Sequence, residues 1–273
     1  MHRLAQLYRF VNVISLDVVG GAIASALFFA ELMHVRILPY GLIALALTVW
    51  IIYTADHLRD AKTIKHDAST YRHRFHQQHF KTLMTITIVV IVIDSIIILF
   101  MRKTVFEWGL VLAVIVVGYL IIQQYLRILK ELFVAILYTS GVLLPSLAVT
   151  SLEFIPLSVI VQFALIAWIN LLLFSWFDYE QDLADGQVSF ATLAGKHLTA
   201  GFIVILTVIQ LVVSVVNWID NFYRVPTTLF VLMNLVLVIV FIGFKKPGRN
   251  DSFRWLGDAV FFIPGIYLLW ARL

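Results

Sequence analysis

The chain has 273 residues, 62% of them apolar and 13% charged, with a mean hydropathy of +0.96 and a formal charge of +4. Soluble domains run nearer half apolar and a quarter charged, so too little polar side chain is present to cover a water-soluble globule, and disorder is excluded on the same ground. No cysteine is present, which removes disulfides, thiolate metal sites and cysteine nucleophiles.

Apolar runs long enough for a helix to cross about 30 Å of hydrocarbon lie near residues 10–30, 37–55, 82–100, 104–122, 132–150, 154–177, 198–216, 225–244 and 255–270. They are continuous rather than alternating, which predicts an all-α bundle of nine transmembrane helices and not a barrel. Asp17 interrupts the first run and Pro264 falls in the last. The first run also follows Arg3 and Arg9 and contains Ala22-Ile23-Ala24, the outline of a signal peptide, but an acid inside it argues for a retained span.

Lys and Arg set the orientation. Fifteen of them fall on the side of the N-terminus, six between the second and third runs (Arg59, Lys62, Lys65, Arg72, Arg74 and Lys81), together with Arg3, Arg9, Arg127, Lys130, Lys196, Lys245, Lys246, Arg249 and Arg254. Five fall opposite: Arg36, Arg102, Lys103, Arg224 and Arg272. This predicts a cytoplasmic N-terminus, an outside C-terminus and one domain over 1–273, and it assigns the positive charge to membrane topology, with no nucleic-acid partner. Two longer loops, 56–81 and 178–197, follow even-numbered spans on the cytoplasmic side.

The acids gather in those loops. Asp56 and Asp60 form a DxxxD pair directly after the second span, and Asp178 and Asp182 form another directly after the sixth, followed by Asp185. Spacing i, i+4 puts both carboxylates on one helix face about 5–6 Å apart, where like charges repel unless a cation lies between them. Paired hard oxygens suit Mg²⁺, which favours sites completed by phosphate oxygens. The plain alternative is a pair of solvated helix ends; the recurrence four spans apart favours a site, and hints at a duplicated unit. Tyr71-Arg72-His73-Arg74-Phe75-His76 follows the first pair closely, and guanidinium binds phosphate oxygens bidentately, although contact with anionic lipid would ask for the same charges. His66, His73, His76 and His79 have no spacing suited to a zinc site.

At these residues the chain resembles the UbiA superfamily of intramembrane prenyltransferases. Asp178-Tyr-Glu-Gln-Asp182-Leu-Ala-Asp185-Gly186, with Ser189 and Gly195 beyond, is similar to the family's second aspartate-rich motif. Arg9-Phe-Val-Asn12 is similar to its RxxN, Tyr125 with Lys130 to its Tyr…Lys segment, and Arg72 and Arg74 fall where the family has diphosphate-binding basic residues. The first motif departs from the pattern: Ile52 and Tyr53 stand where Asn and Asp are expected, and Gly186 replaces the last Asp of the second.

The resemblance implies Mg²⁺-dependent transfer of a prenyl group from a polyprenyl diphosphate to a lipophilic acceptor, in this family often an electron-rich aromatic ring. Asp56, Asp60, Asp178 and Asp182 would be the metal ligands. Asn12, Arg72, Arg74, Tyr125, Lys130 and Lys196 would bind the diphosphate. The 38 Phe, Tyr and Trp offer material for stabilising a carbocation, though most of them serve packing. Asp17, Asp94 and Asp258 lie in or near spans with no role legible from sequence. A non-catalytic isoprenoid-binding relative is the alternative that Ile52 and Tyr53 suggest, and a small-solute transporter is the alternative from another class. No organelle transit signature is seen, so a bacterial inner membrane is expected.

Overall fold

The computed structural model describes residues 2–151, 153, 155–220, 223–244 and 252–271; for residues 2–5, 124 and 270 it describes the backbone alone. Among the described residues every regular element is helical, and seven helices are long and apolar enough to cross a membrane.

The chain begins with α1 (His2–Val13) and α2 (Leu16–Leu32), which meet at a bend of 74° and count as an eighth crossing if taken as one broken span. The bend sits at Ser15, whose backbone is left-handed at φ 59°, and the Ile14 carbonyl released there accepts the Trp50 indole N–H at 3.1 Å. Pro39 opens α3 (Pro39–Thr63), which at 25 residues is about 37 Å long, so its last turns outrun the hydrocarbon layer and carry Asp56 and Asp60 past it.

A short helix α4 (Tyr71–Gln78), capped by Thr70, precedes the lipid-facing pair α5 (Phe80–Ile98) and α6 (Lys103–Leu126). A 3₁₀ turn over Arg127–Leu129 leads into α7 (Lys130–Leu147), followed by the most buried of the seven long apolar helices, α8 (Leu157–Phe177). Two short helices, α9 (Tyr179–Asp185) and α10 (Phe190–Ala194), precede α11 (Lys196–Ile219) and α12 (Arg224–Gly243).

The expected ninth span over 255–270 is broken. It consists of α13 (Ser252–Ala259), a 3₁₀ segment Val260–Gly265 and α14 (Ile266–Trp270). Pro264 lies in the 3₁₀ segment and has no N–H to continue an α-helical ladder. The 3₁₀ segment packs tightly on α2: a Cβ added at Gly21 would come within 2.8 Å of Phe261 Cβ, so only glycine admits this approach. The expected charges Lys245, Lys246, Arg249 and Arg272 lie outside the described residues, as does the Arg3 side chain.

Phe28, Phe29, Phe163, Phe230 and Phe261 make the centre of the core, ring against ring at 4.9–6.2 Å. Isoleucine, valine and leucine cover the outer faces of α5, α6 and α11 and stand exposed, including Ile88, Val92, Val114, Val117, Val208 and Val212. Long helices with apolar outer faces and a partly polar interior make this an integral membrane protein.

Candidate active site

Three helix ends and three short helices meet around one cavity of about 200 Å³. The end of α3 brings Asp56, His57 and Asp60; α4 brings Arg72 and His73; α7 begins with Lys130 and Glu131; α8 and α9 bring Ser175, Asp178 and Asp182; α13 brings Arg254 and Asp258. Its other walls are mostly apolar or aromatic, among them Tyr53, Tyr138, Leu171, Phe174 and Phe261, with Asn170, Gln187 and Ser189 as polar exceptions. The cavity thus has charged walls on one side and a greasy interior on the other.

The local sequence explains how these groups are held. Gln123 on α6 donates to Asp56 Oδ1 at 3.1 Å and accepts from the Tyr119 hydroxyl at 3.2 Å. Asp178 begins α9 and is paired with Arg254, whose guanidinium also lies 5.0 Å from the Phe174 ring centre. Glu131 accepts the Phe190 N–H at 2.6 Å and Ser175 Oγ accepts the Ala191 N–H at 2.9 Å, which anchors the loop from Gly186 to Ser189 beside the cavity. Asp185, the third acid of the second motif, takes both Ser69 N–H and Ser69 Oγ–H and lies 3.3 Å from His66. It ties the loop before α4 to the end of α9.

Arg72 is buried and runs between two supports, donating to Asn12 Oδ1 at 2.9 Å and lying 3.4 Å from His57 Nε2. Burial, then the neighbouring Arg254, lowers its affinity for a proton relative to a free guanidinium. His73 is pushed down to about 3 by burial and by Arg254 and Arg72. His76 is pushed down to about 4, mainly by burial. Asp182 is pushed up to about 7 because burial and the adjacent Asp178 both penalise its ionised form.

Of the residues singled out in the sequence, Asp56, Asp60, Asp178, Asp182, Arg72 and Lys130 share the cavity wall. Four others stand away from it. Asn12 is buried behind the wall, its amide bonded to Asp17, Asp258 and Arg72. Arg74 donates to the carbonyls of Ala68 and Ser69 and braces the loop. Lys196 lies over the Trp176 ring at 4.8 Å. Tyr125 is 74% exposed, because it lies on the outward face of the last turn of α6; Tyr119, not singled out in the sequence, is the tyrosine of that helix that lines the cavity.

Arg254 and Asp258 were also passed over, Arg254 because it reads as one more positive-inside charge. Tyr53, met as a departure from the first motif, lies on the wall. The four histidines do not share one site: His66 and His73 both face Asp185, His76 meets the Arg72 carbonyl and His79 the Phe75 carbonyl.

Among the described residues no three His, Asp or Glu side chains converge closely enough to hold a metal ion by themselves. The four aspartates nevertheless fit a hard cation that takes part of its shell from water and phosphate oxygens, and a cation beside Asp182 would relieve the charge repulsion that raises it.

The sequence matches no family model and no curated protein. The structure is similar to the apo structure of a UbiA homolog from Aeropyrum pernix K1, with a TM-score of 0.71 and 16% identity over 95% of this chain and 99% of that one. At that identity the likeness speaks for the fold, and in the fold the resemblance drawn from the aspartate motifs is borne out: the chain is built as a UbiA homolog is built.

Proposed function

We propose that this protein transfers a prenyl group from a polyprenyl diphosphate to a lipophilic acceptor within the membrane, with Mg²⁺ bound. One observation carries the reading: the DxxxD pairs of α3 and of the α8–α9 junction, far apart in sequence, face one cavity whose interior is apolar and aromatic. Asp56 and Asp60 from one side and Asp178 and Asp182 from the other would hold Mg²⁺ against the diphosphate. When bound, such an ion would neutralise charge that gathers on the leaving oxygen.

Arg72 and Lys130 line the same wall and offer N–H donors to the phosphate oxygens. Tyr53, Tyr138, Phe174 and Phe261 shield the allylic carbon from water and present ring faces to its positive charge. Asn12 acts as a positioning residue, fixing the direction of Arg72. In this reading the broken C-terminal segment completes a nine-span bundle with the N-terminus in the cytoplasm and the C-terminus outside, in a bacterial inner membrane.

The test is diphosphate release by the purified protein in lipid nanodiscs, with prenyl diphosphates of several lengths and a mixed acceptor panel, with Mg²⁺ or with EDTA. Acceptor-dependent release is expected with Mg²⁺ alone, falling at least about a hundredfold in Asp56→Asn and in Asp178→Asn. Binding without release would favour a non-catalytic isoprenoid-binding relative. Neither binding nor release would remove the reading.

A further inference from the structure

Arg254 and Asp258 are four residues apart on α13 and so share one face of it. Arg254 is paired with Asp178 at the charged wall, and the chain then continues inward to Phe261, which packs on Tyr138 and Phe163 in the core. Asp258 therefore lines the cavity about 6 Å further along the helix than Arg254, about one helical turn past the level at which a diphosphate would sit. Gly257 beside it is pressed against α8, where an added Cβ would lie 2.5 Å from Asn170 Oδ1 and 2.6 Å from the Phe174 ring.

The carboxylate is held from behind. Asn12 Nδ2 donates to Asp258 Oδ2 at 3.0 Å and to Asp17 Oδ2 at 2.5 Å, while Asn12 Oδ1 accepts from Arg72. The charged and titratable groups facing Asp258 are Asp17 from α2, Arg72 from α4 and Arg254 from its own helix, with the hydroxyls of Tyr8, Tyr53 and Tyr138 from α1, α3 and α7. Arg72 and Arg254 both act on Asp258, so its carboxylate faces cations from two helices as well as the Asp17 carboxylate.

We propose that Asp258 is the base that takes the proton an aromatic acceptor loses when it is prenylated, an assignment that rests on the transferase reading above. Heterolysis of the allylic C–O bond leaves its electron pair on the diphosphate and a cation at the allylic carbon. A ring carbon bonds to that cation; the C–H bond at the attacked carbon then breaks, its electrons restore the ring, and the proton passes to the Asp258 carboxylate. No oxidant or reductant enters. The acceptor class that follows is an electron-rich ring with a hydrogen at the attacked carbon, stacked among Tyr53, Tyr138 and Phe174.

The experiment compares the unmodified protein with Asp258→Asn and Asp258→Glu in nanodiscs, using geranyl, farnesyl and geranylgeranyl diphosphates with ring-deuterated phenols and naphthols. In Asp258→Asn, the ratio of prenylated product to diphosphate released falls by about a hundredfold. Prenyl alcohol from capture of the cation by water takes its place. A primary deuterium isotope effect emerges on the residual transfer, and Asp258→Glu restores part of the product.

Transfer in Asp258→Asn within about threefold of normal, or binding and transfer lost together, overturns the assignment. If the unmodified protein releases diphosphate but prenylates no phenol or naphthol, the acceptor class is wrong and the assignment falls. If it releases none, the transferase reading itself has failed. Where Asp258→Asn does not accumulate, the ratio of prenylated product to prenyl alcohol from the unmodified protein decides: a fall with acid between about pH 8 and 5 supports the base, and a flat ratio overturns it.

Discussion

His76 is buried on α4 and His73 half-buried, and acid should find them out. Both hold their protons more weakly folded, at about 3 and about 4, than the ordinary 6.5 of an exposed imidazole. A depressed pKa in the folded state means that the unfolded chain binds more protons, so stability is full above about pH 6.5 and is lost as pH falls toward about 4, at about 1.4 kcal/mol per pH unit for each histidine. Thermal midpoints in nanodiscs from pH 8 to 5 should show this fall, and His76→Gln should reduce its slope. Gly257→Ala should lower the midpoint at neutral pH, by about 1–3 kcal/mol of stability, since the new methyl meets the Asn170 amide and the Phe174 ring. At this scale the sequence was partly legible. The aspartate pairs stood out because like charges at i, i+4 ask for a cation. Arg254 and Asp258 did not, because their meaning depends on a segment folding back across α8 and α2, which no local spacing encodes. Tyr125 and Tyr119 differ only in which face of α6 they occupy, and an apolar helix in lipid offers little periodicity to tell those faces apart.

Between helices, the interior of the bundle uses hydrogen bonds where water would be costly. Ser214 Oγ donates to Gln162 Oε1 at 2.7 Å, Gln210 Nε2 donates to Ser214 Oγ at 3.1 Å, and Asn234 Nδ2 donates to Gln210 Oε1 at 2.5 Å. This chain stitches α8 to α11 and α12. Asn234→Leu breaks it and leaves the Gln210 carbonyl unpaired, so a loss of about 1 kcal/mol is expected, read as a lower thermal midpoint with diphosphate release unchanged at permissive temperature. The long helices were legible from hydropathy alone, since each must bury its own backbone in lipid. The 74° bend between α1 and α2 was not, because neither Ile14 nor Ser15 is a helix breaker by type; the tertiary bond from Trp50 to the freed carbonyl stabilises the break. The discontinuity near Pro264 had a local signal, yet a hydropathy window averages across it and reports one span.

For the molecule as a whole, the absence of native cysteine makes topology directly measurable. Single cysteines at Lys65 and at Lys103 in a cysteine-free background should react with a membrane-impermeant maleimide from opposite sides, Lys65 from the cytoplasmic side in the proposed orientation. Labelling of both from one side would overturn that orientation. A cavity lined with carboxylates and cations opens a wet, charged pit part of the way through an insulator, and in an energised membrane the field would concentrate across whatever thickness remains. Phe28, Phe29, Phe163 and Phe261 fill that remainder with tightly packed rings, and among the described residues none of the four carries a charge. They act as the dielectric of a thin capacitor, so that a protein holding charge on one face need not leak protons to the other. Proteoliposomes holding the protein should therefore keep a pH gradient as long as empty vesicles do, and Phe163→Ala, by thinning that layer, should shorten its lifetime.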